Sequence, residues 1–473
     1  FYPIMVYPGT EAYEWAKKNN YLASIYPDKE RVGLALADIS TGEFLLSEVN
    51  LSDIAIELAR LPVAEIILPQ DKDEKNLSGI LAMGLPLNRV EPWFFQFDEV
   101  QERLTRSFGL ASLKGLGIKN HHLAVSAAGG LIHYLEETQK GVVAHLQLPR
   151  FVSHSDYMVL DVTTQKNLEL VSSQQNNSKD GSLLGVLDLT RTAGGGRKLS
   201  KFILQPLLKV EEIVKRQDII ESFYKQTFLR ERIQELLKKF SDVERLIGRL
   251  HSHLASARDL IHLKKSLSLI PALKEILRES ESEIVPRAFR KLEPLPEMVE
   301  LIETSIVDEP PLTVKEGGII KPEYDQELLR LHKLAQGGKD WIVELEEKER
   351  SRTGISSLKV GYTSVFGYYI EVTRANLSQV PQDYIRKQTL VNAERFVTPE
   401  LKEKENMILG AEEKKIELEY RIFQKIRERV IKKTALIQNN AEIISEIDVY
   451  CACLLYTSPS PRDLSTSRMP SSA

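Results

Sequence analysis

From Thr398 to Ile447 the chain contains no proline and a single interior glycine, Gly410, apart from Pro399 at its very start, and that run limits what the whole can become. Thr398 followed by Pro399 reads as a helix start. The hydroxyl accepts an orphan amide, and proline at the first helical position gives up an N–H that would have no partner. A continuous helix over this span would run roughly 70 Å, at about 1.5 Å per residue. Leu409, Ile416, Phe423, Val430, Ile437 and Ile444 recur at heptad spacing, with Ile408, Ile422, Leu436 and Ile443 one position earlier, while Glu, Lys and Arg fill the other faces. So narrow an apolar seam requires a neighbouring helix.

The partner is expected just upstream. Tyr324, Leu328, Leu331, Ala335, Ile342 and Leu345 keep helical spacing from Pro322 to Arg350, with an interruption expected at Gly337 and Gly338. Between the two helices, Leu358, Val360 and Tyr362 and then Tyr368, Ile370 and Val372 alternate with their neighbours, the period of half-buried strands, with a turn near Thr363 to Gly367. Arg386 to Val397 is a third strand candidate. The order is helix, β unit, helix: two antiparallel rods carrying a small β tip at their far end.

Between Ile355 and Val397 stand five basic residues (Lys359, Arg374, Arg386, Lys387, Arg395) and three acidic ones (Glu371, Asp383, Glu394), a local excess of positive charge in a chain of net charge −4. Tyr362, Asn376, Tyr384, Gln388 and Asn392 lie among them, side chains of the kind that bond phosphate oxygens. On composition alone the same mixture describes a solvated β surface, so the tip is a candidate nucleic-acid contact and no more.

With 473 residues there is room for three or four domains with real cores. A hydrophobic content of 42% and a charged content of 27% are those of an ordinary globular chain, and no apolar run approaches the eighteen or so residues of a membrane span. FYPIMVYPGT has neither the basic start nor the apolar core of a signal peptide, and the chain reads as an internal fragment. Cys451 and Cys453 are too close together for a disulfide framework, which fits a reducing compartment. Residues 453–473 (CLLYTSPSPRDLSTSRMPSSA) break the helical pattern in mid-element and read as a translated sequencing adapter, a non-native tail.

Earlier in the chain, VGLALADIS, the turn Thr41-Gly42 and EFLLSEV form a hairpin from Arg31. Helical patterns follow at Asp53 to Arg60, Glu99 to Phe108 and His122 to Glu137, with strands at Ala64 to Leu68 and Leu87 to Val90. Alternating strands and helices indicate an α/β unit. Asp38 before Ser-Thr-Gly could suggest a metal-nuclease carboxylate, but no further carboxylates follow at strand ends, and the turn accounts for it. His121 and His122 have no Cys or further His at ligand spacing and read as a helix start. Leu148 to Leu301 is mostly helical. Within it, Gly194 to Gly196 followed by Arg197 and Lys198 lacks the spacing of a phosphate-binding loop, which is absent from the whole sequence; the glycines read as close helix packing.

KVGYTSVFGYYIEVTRANLSQVP, DYIRKQTLVNAERFVTPELKEKE and ILGAEEKKIELEY resemble the clamp and adjoining lever of the MutS DNA mismatch-repair family. MVLDVTTQKNLELV, DVERLIGRLHSHLASARDLIHLKKSL and VDEPPLTVKEGGIIKPEYD resemble its core, in the same order. The resemblance implies a multidomain, mainly α fold with α/β parts. Residues 1–14 would be a linker remnant, 15–140 a ribonuclease-H-like α/β connector, and 141–315 the first part of an all-helical core and lever. Residues 316–397 would be the clamp, a descending lever helix plus a small β unit at the lever tip, and 398–452 the long returning helix. The family's mismatch-reading and ATPase domains would lie outside this sequence.

By position against the family's clamp, Lys387, Asn392 and Arg395 are the first expected DNA-backbone contacts, with Arg386, Lys359 and Arg374 behind them. The resemblance further implies mismatched double-stranded DNA as ligand, a homodimer, a MutL-type repair partner, a cytoplasmic, nucleoid-associated location, and ATP with Mg in the intact protein only. No catalytic residue, cofactor site or metal site is expected in this stretch. Two other readings remain open: a paralogue acting on recombination intermediates, which generally lacks the connector, and a non-catalytic helical scaffold.

Overall fold

A computed structural model describes residues 20–59, 61–72, 78–81, 84–108, 113–116, 118, 120–138, 146–152, 157–252, 254–363 and 367–452. The expected linker remnant at 1–14 and the tail at 453–473 lie outside these residues. The chain forms two compact units, one built from the residues up to Ala255, His262–Val299 and those from Arg429 onward, the other from Ser256–Ile261 and Glu300–Glu428.

In the first unit a mixed sheet forms from β1 (Tyr21–Asp28), β2 (Arg31–Asp38), β3 (Glu43–Asn50), β4 (Val63–Pro69), β5 (Leu87–Val90) and β6 (Arg150–Phe151), in the order β5-β4-β1-β2-β3-β6. The first three strands are an antiparallel meander; β4 runs parallel to β1, β5 to β4 and β6 to β3. Val32 to Asp38 is buried throughout because both faces of the sheet are covered, which is why VGLALA reads as a continuous apolar run and not as an alternation. One face packs on the helix His122–Thr138 through Ala124, Ala127, Ala128 and Leu131; the other holds Ile25, Leu34, Ile54, Leu58 and Ile66.

Two strands were not expected from the sequence. YLASIYPD becomes the central β1, and β6 joins the sheet edge beyond the boundary expected at residue 140. Asp38 serves the β2–β3 turn: its carboxylate accepts the Ser40 amide at 2.9 Å and the Ser40 hydroxyl at 2.7 Å.

Helices make up the rest of this unit. The helix Ala193–Leu204 lies against the helix Thr434–Ala452, and a Cβ on Gly195 would stand 2.8 Å from Cγ of Asp448, so the glycine run is indeed a place where backbone meets a neighbouring helix. Arg197, buried on the same helix, donates to Asp242 at 2.7 and 2.8 Å and pairs with Glu244. Lys201 on that helix also pairs with Glu43 of β3, whose carboxylate takes the Tyr21 hydroxyl as well.

The long C-terminal run is not one helix. Pro399–Ile431 and Thr434–Ala452 are separate, with a turn at Lys432–Lys433. Here the Lys433 amide bonds the Val430 carbonyl at 2.9 Å, one residue short of the α-helical partner, and the Thr434 hydroxyl donates to the Ile431 carbonyl at 2.7 Å while meeting Nε2 of His251 at 2.8 Å. A hydroxyl that takes a backbone carbonyl competes with the helix ladder, and nothing in the heptad pattern reveals that.

In the second unit the helix Gln326–Thr353 is capped by Asp325, which accepts the Glu327 and Leu328 amides at 3.0 Å. It passes through Gly337 and Gly338 without a break, contrary to expectation: glycine weakens a helix by about 1 kcal/mol without forbidding it, and the buried Leu331, Ala335, Ile342 and Leu345 hold this one in place. Trp341 meets Lys404 with the ammonium 5.7 Å from the ring centroid, and Lys348 meets Glu400 at 3.6 Å, so the start of the helix Pro399–Ile431 runs antiparallel to it.

Between these helices lies an antiparallel sheet of β7 (Lys359–Thr363), β8 (Gly367–Thr373), β9 (Ile385–Thr389) and β10 (Ala393–Val397), in the order β7-β8-β10-β9. The expected third strand is thus a hairpin, closed by the Leu390 amide on the Ala393 carbonyl at 2.8 Å over Val391 and Asn392. Of the first hairpin's turn, residues 364–366 lie outside the described residues. One face of the sheet buries Ile370, Val372 and Phe396 against Ile342, Leu345, Leu401 and Ile408; the other, open among the described residues, carries the partly exposed Tyr369, Glu371, Arg395 and Gln388.

Candidate nucleic-acid interface

Burial of one face dictates the other. Because side chains alternate along a strand, Ile370 and Val372 inward put Tyr369, Glu371 and Thr373 outward on β8. The ladders then set Lys359 of β7 opposite Glu371, Glu371 opposite Arg395 of β10, and Arg395 opposite Gln388 of β9, four side chains in one row across the open face.

Arg395 is not free. Its Nε donates to Oε2 of Glu371 at 3.0 Å, Nη1 donates to Oε1 of Gln388 at 2.9 Å, and the guanidinium stands 4.1 Å from the Tyr369 ring centroid. Lys387 differs. Gln388 pairs with Arg395 and Arg386 pairs with Phe396, so Lys387 is the extra residue of a β-bulge on the edge strand. A bulge re-aims the side chain it inserts, and Lys387 is exposed, with no anionic partner among the described residues. Lys359, on the opposite edge strand, is likewise exposed and unpaired among the described residues.

The other expected contacts divide. Asn392 is exposed in the β9–β10 turn, beside Arg374, whose guanidinium donates to the Leu390 carbonyl at 3.2 Å. Arg386 is exposed at the edge and bridges Glu394 at 3.3 Å. Of the polar residues singled out with them, Tyr362 is exposed, but three are engaged by other residues of the protein. Tyr384 is buried and its hydroxyl donates to Glu349 at 2.9 Å; burial and then this bond push its pKa up. Asn376 donates to Ser357 at 3.0 Å, and Gln388 holds Arg395. Sequence reasoning missed the bulge and the Glu371–Arg395 pair because both depend on register, which no local pattern states. Among the described residues no group of three or more His, Cys, Asp or Glu side chains is placed to hold a metal ion.

The family profile described as MutS domain III matches residues 163–453, more than half of the sequence. The chain belongs to the MutS family. A second profile, MutS domain II, matches residues 20–147 and so takes in β1 to β5 of the six-stranded sheet. Among MutS relatives, the protein named DNA mismatch repair protein MutS from Alkaliphilus oremlandii (strain OhILAs) is 40% identical over 445 residues, covering 92% of this chain and 50% of the relative. The protein of the same name from Pelotomaculum thermopropionicum (strain DSM 13744 / JCM 10971 / SI) is 44% identical over 438 residues, covering 91% and 51%. This chain thus spans about half the length of the curated MutS relatives it matches. Among the described residues no helix is long and apolar enough to cross a membrane.

Proposed function

We propose that the chain is the connector, core, lever and clamp part of a DNA mismatch-repair MutS, and that the open face of the β7–β10 sheet, the clamp, grips duplex DNA by its phosphates without reading bases. The observation that carries this reading is Lys387, an unpaired cation set out from the edge strand by a bulge, with Lys359 exposed at the far edge of the same sheet. Two separated point charges, with the Arg395 guanidinium between them taken up by Glu371 and Gln388, suit a regular phosphate backbone. The domain II match supports mismatch repair over the recombination paralogue.

The family alone supports the rest: mismatched double-stranded DNA as ligand, a homodimer, a MutL-type partner, a cytoplasmic location, and an ATPase using ATP and Mg in the longer protein.

Titration of the full chain against homoduplex and mismatched duplex over a range of salt tests this reading. The expected result is equal, salt-sensitive binding of both. In Lys387→Ala the slope of log K against log salt should shrink by about 0.9, the value of one phosphate contact, and Lys387→Glu with Lys359→Glu should nearly abolish binding. A double variant that binds like the wild type would remove the assignment.

A further inference from the structure

The row Lys359, Glu371, Arg395 and Gln388 sets a carboxylate in the middle of the face assigned above to phosphate. Arg395 is held on three sides, by Glu371, by Gln388 and by the ring of Tyr369, and its side chain is only 18% exposed. The Tyr369 ring in turn lies across Gly361, where a Cβ would come within 2.7 Å of the ring, so the platform under the guanidinium depends on glycine at that position. Glu371 remains 33% exposed, and its charge faces outward beside that of the arginine.

We propose that Glu371 is the affinity-setting residue of this face: by pairing with Arg395 it withholds one positive charge from the duplex and leaves Lys359 and Lys387 as the cations that engage phosphate. The inference rests on reading the sheet as a duplex-binding surface. An arginine neutralised within the protein releases no net counterion from DNA, whereas the same arginine beside a neutral residue does. Glutamine at position 371 keeps an acceptor for Nε of Arg395 while removing the charge.

The test is a salt titration of duplex binding by the full chain in wild type, Glu371→Gln, Arg395→Gln and the double variant, with Lys387→Ala alongside. Glu371→Gln should steepen the slope of log K against log salt by about 0.9 and tighten binding about eightfold at 0.1 M salt, the factor that slope carries relative to 1 M. Arg395→Gln should flatten the slope by a similar amount, and the double variant should return to wild type. Glu371→Thr, neutral and suited to a strand, should repeat the glutamine result and guards against a folding defect in one variant.

If both position-371 variants bind with wild-type slope and affinity while Lys387→Ala still flattens the slope, the role of Glu371 is refuted and the duplex-binding reading stands. If Lys387→Ala also changes nothing, the reading of the face falls and takes the inference with it.

Discussion

Asp448 accepts the backbone amide of Thr192 at 2.7 Å and the hydroxyl of the same residue at 2.6 Å, across 256 positions of sequence. It also accepts the Arg191 amide at 2.9 Å, while the Thr192 hydroxyl accepts the Gly195 amide at 3.0 Å. The start of the helix Ala193–Leu204 is therefore capped partly by its own threonine and partly by a carboxylate on another helix. Asp448→Ala leaves these buried donors without an acceptor and should lower stability by about 3 kcal/mol, read as a fall in the urea midpoint. Asp448→Asn should retain part of the loss.

Gly195 and Gly337 should respond to alanine with opposite signs. At Gly195 the added Cβ meets Asp448, which its three donors prevent from yielding, and a loss of about 1–3 kcal/mol is expected. At Gly337 the Cβ meets nothing within 4 Å on a helix that the rest of the sequence already favours. There alanine should gain about 0.5–1 kcal/mol. Thermal melts of the two variants separate the cases.

Glu43 supplies a pH dependence. Burial alone would raise its pKa, but the Lys201 ammonium, the Tyr21 hydroxyl and Arg150 override it and hold the carboxyl at about 2, down from 4.5. A carboxylate depressed by folding adds stability that is complete above its unfolded value and is lost as pH falls through the folded one. Between pH 4.5 and about 2 the wild type should therefore lose stability that Lys201→Met, already weakened at neutral pH, no longer has to lose. Chemical denaturation at a series of pH values checks the difference in slope.

Glu419 has the opposite sign. It lies buried in the second unit with Oε2 accepting the Ile319 amide at 3.1 Å, and burial raises its pKa more than that bond and nearby Lys415 lower it. Folding favours the protonated form, so the penalty is absent below 4.5 and grows as pH rises towards the raised value. Glu419→Gln keeps the acceptor and removes the penalty. Protection of the Ile319 amide against hydrogen exchange should improve in this variant relative to wild type, and more so at pH 7 than at pH 5.

Where local chemistry decides, the fold was legible in the sequence. Asp38 before Ser-Thr-Gly, the strand alternation of residues 358–372 and the Thr398-Pro399 helix start all describe what forms. Where a distant partner decides, it was not. Tyr21 to Asp28 becomes a central strand only because β2 and β4 take its two edges, and the heptad seam gave no sign that His251 would meet the Thr434 hydroxyl at the helix break. The site divides in the same way. The charge excess of the tip is present in its composition, but its allocation is set by register: Arg395 and Arg386 have carboxylates within 3.3 Å, and Lys387 does not.

The bulge at Lys387 makes that cation separable from the scaffold. Its neighbours Arg386 and Gln388 pair with Phe396 and Arg395 of β10 while Lys387 has no partner of its own in the ladder, so the pairing does not depend on the side chain the insertion carries. Position 387 can accordingly be shortened or reversed in sign with the pairing of the sheet left in step, so the charge at this edge can be changed without any repair elsewhere in the sheet.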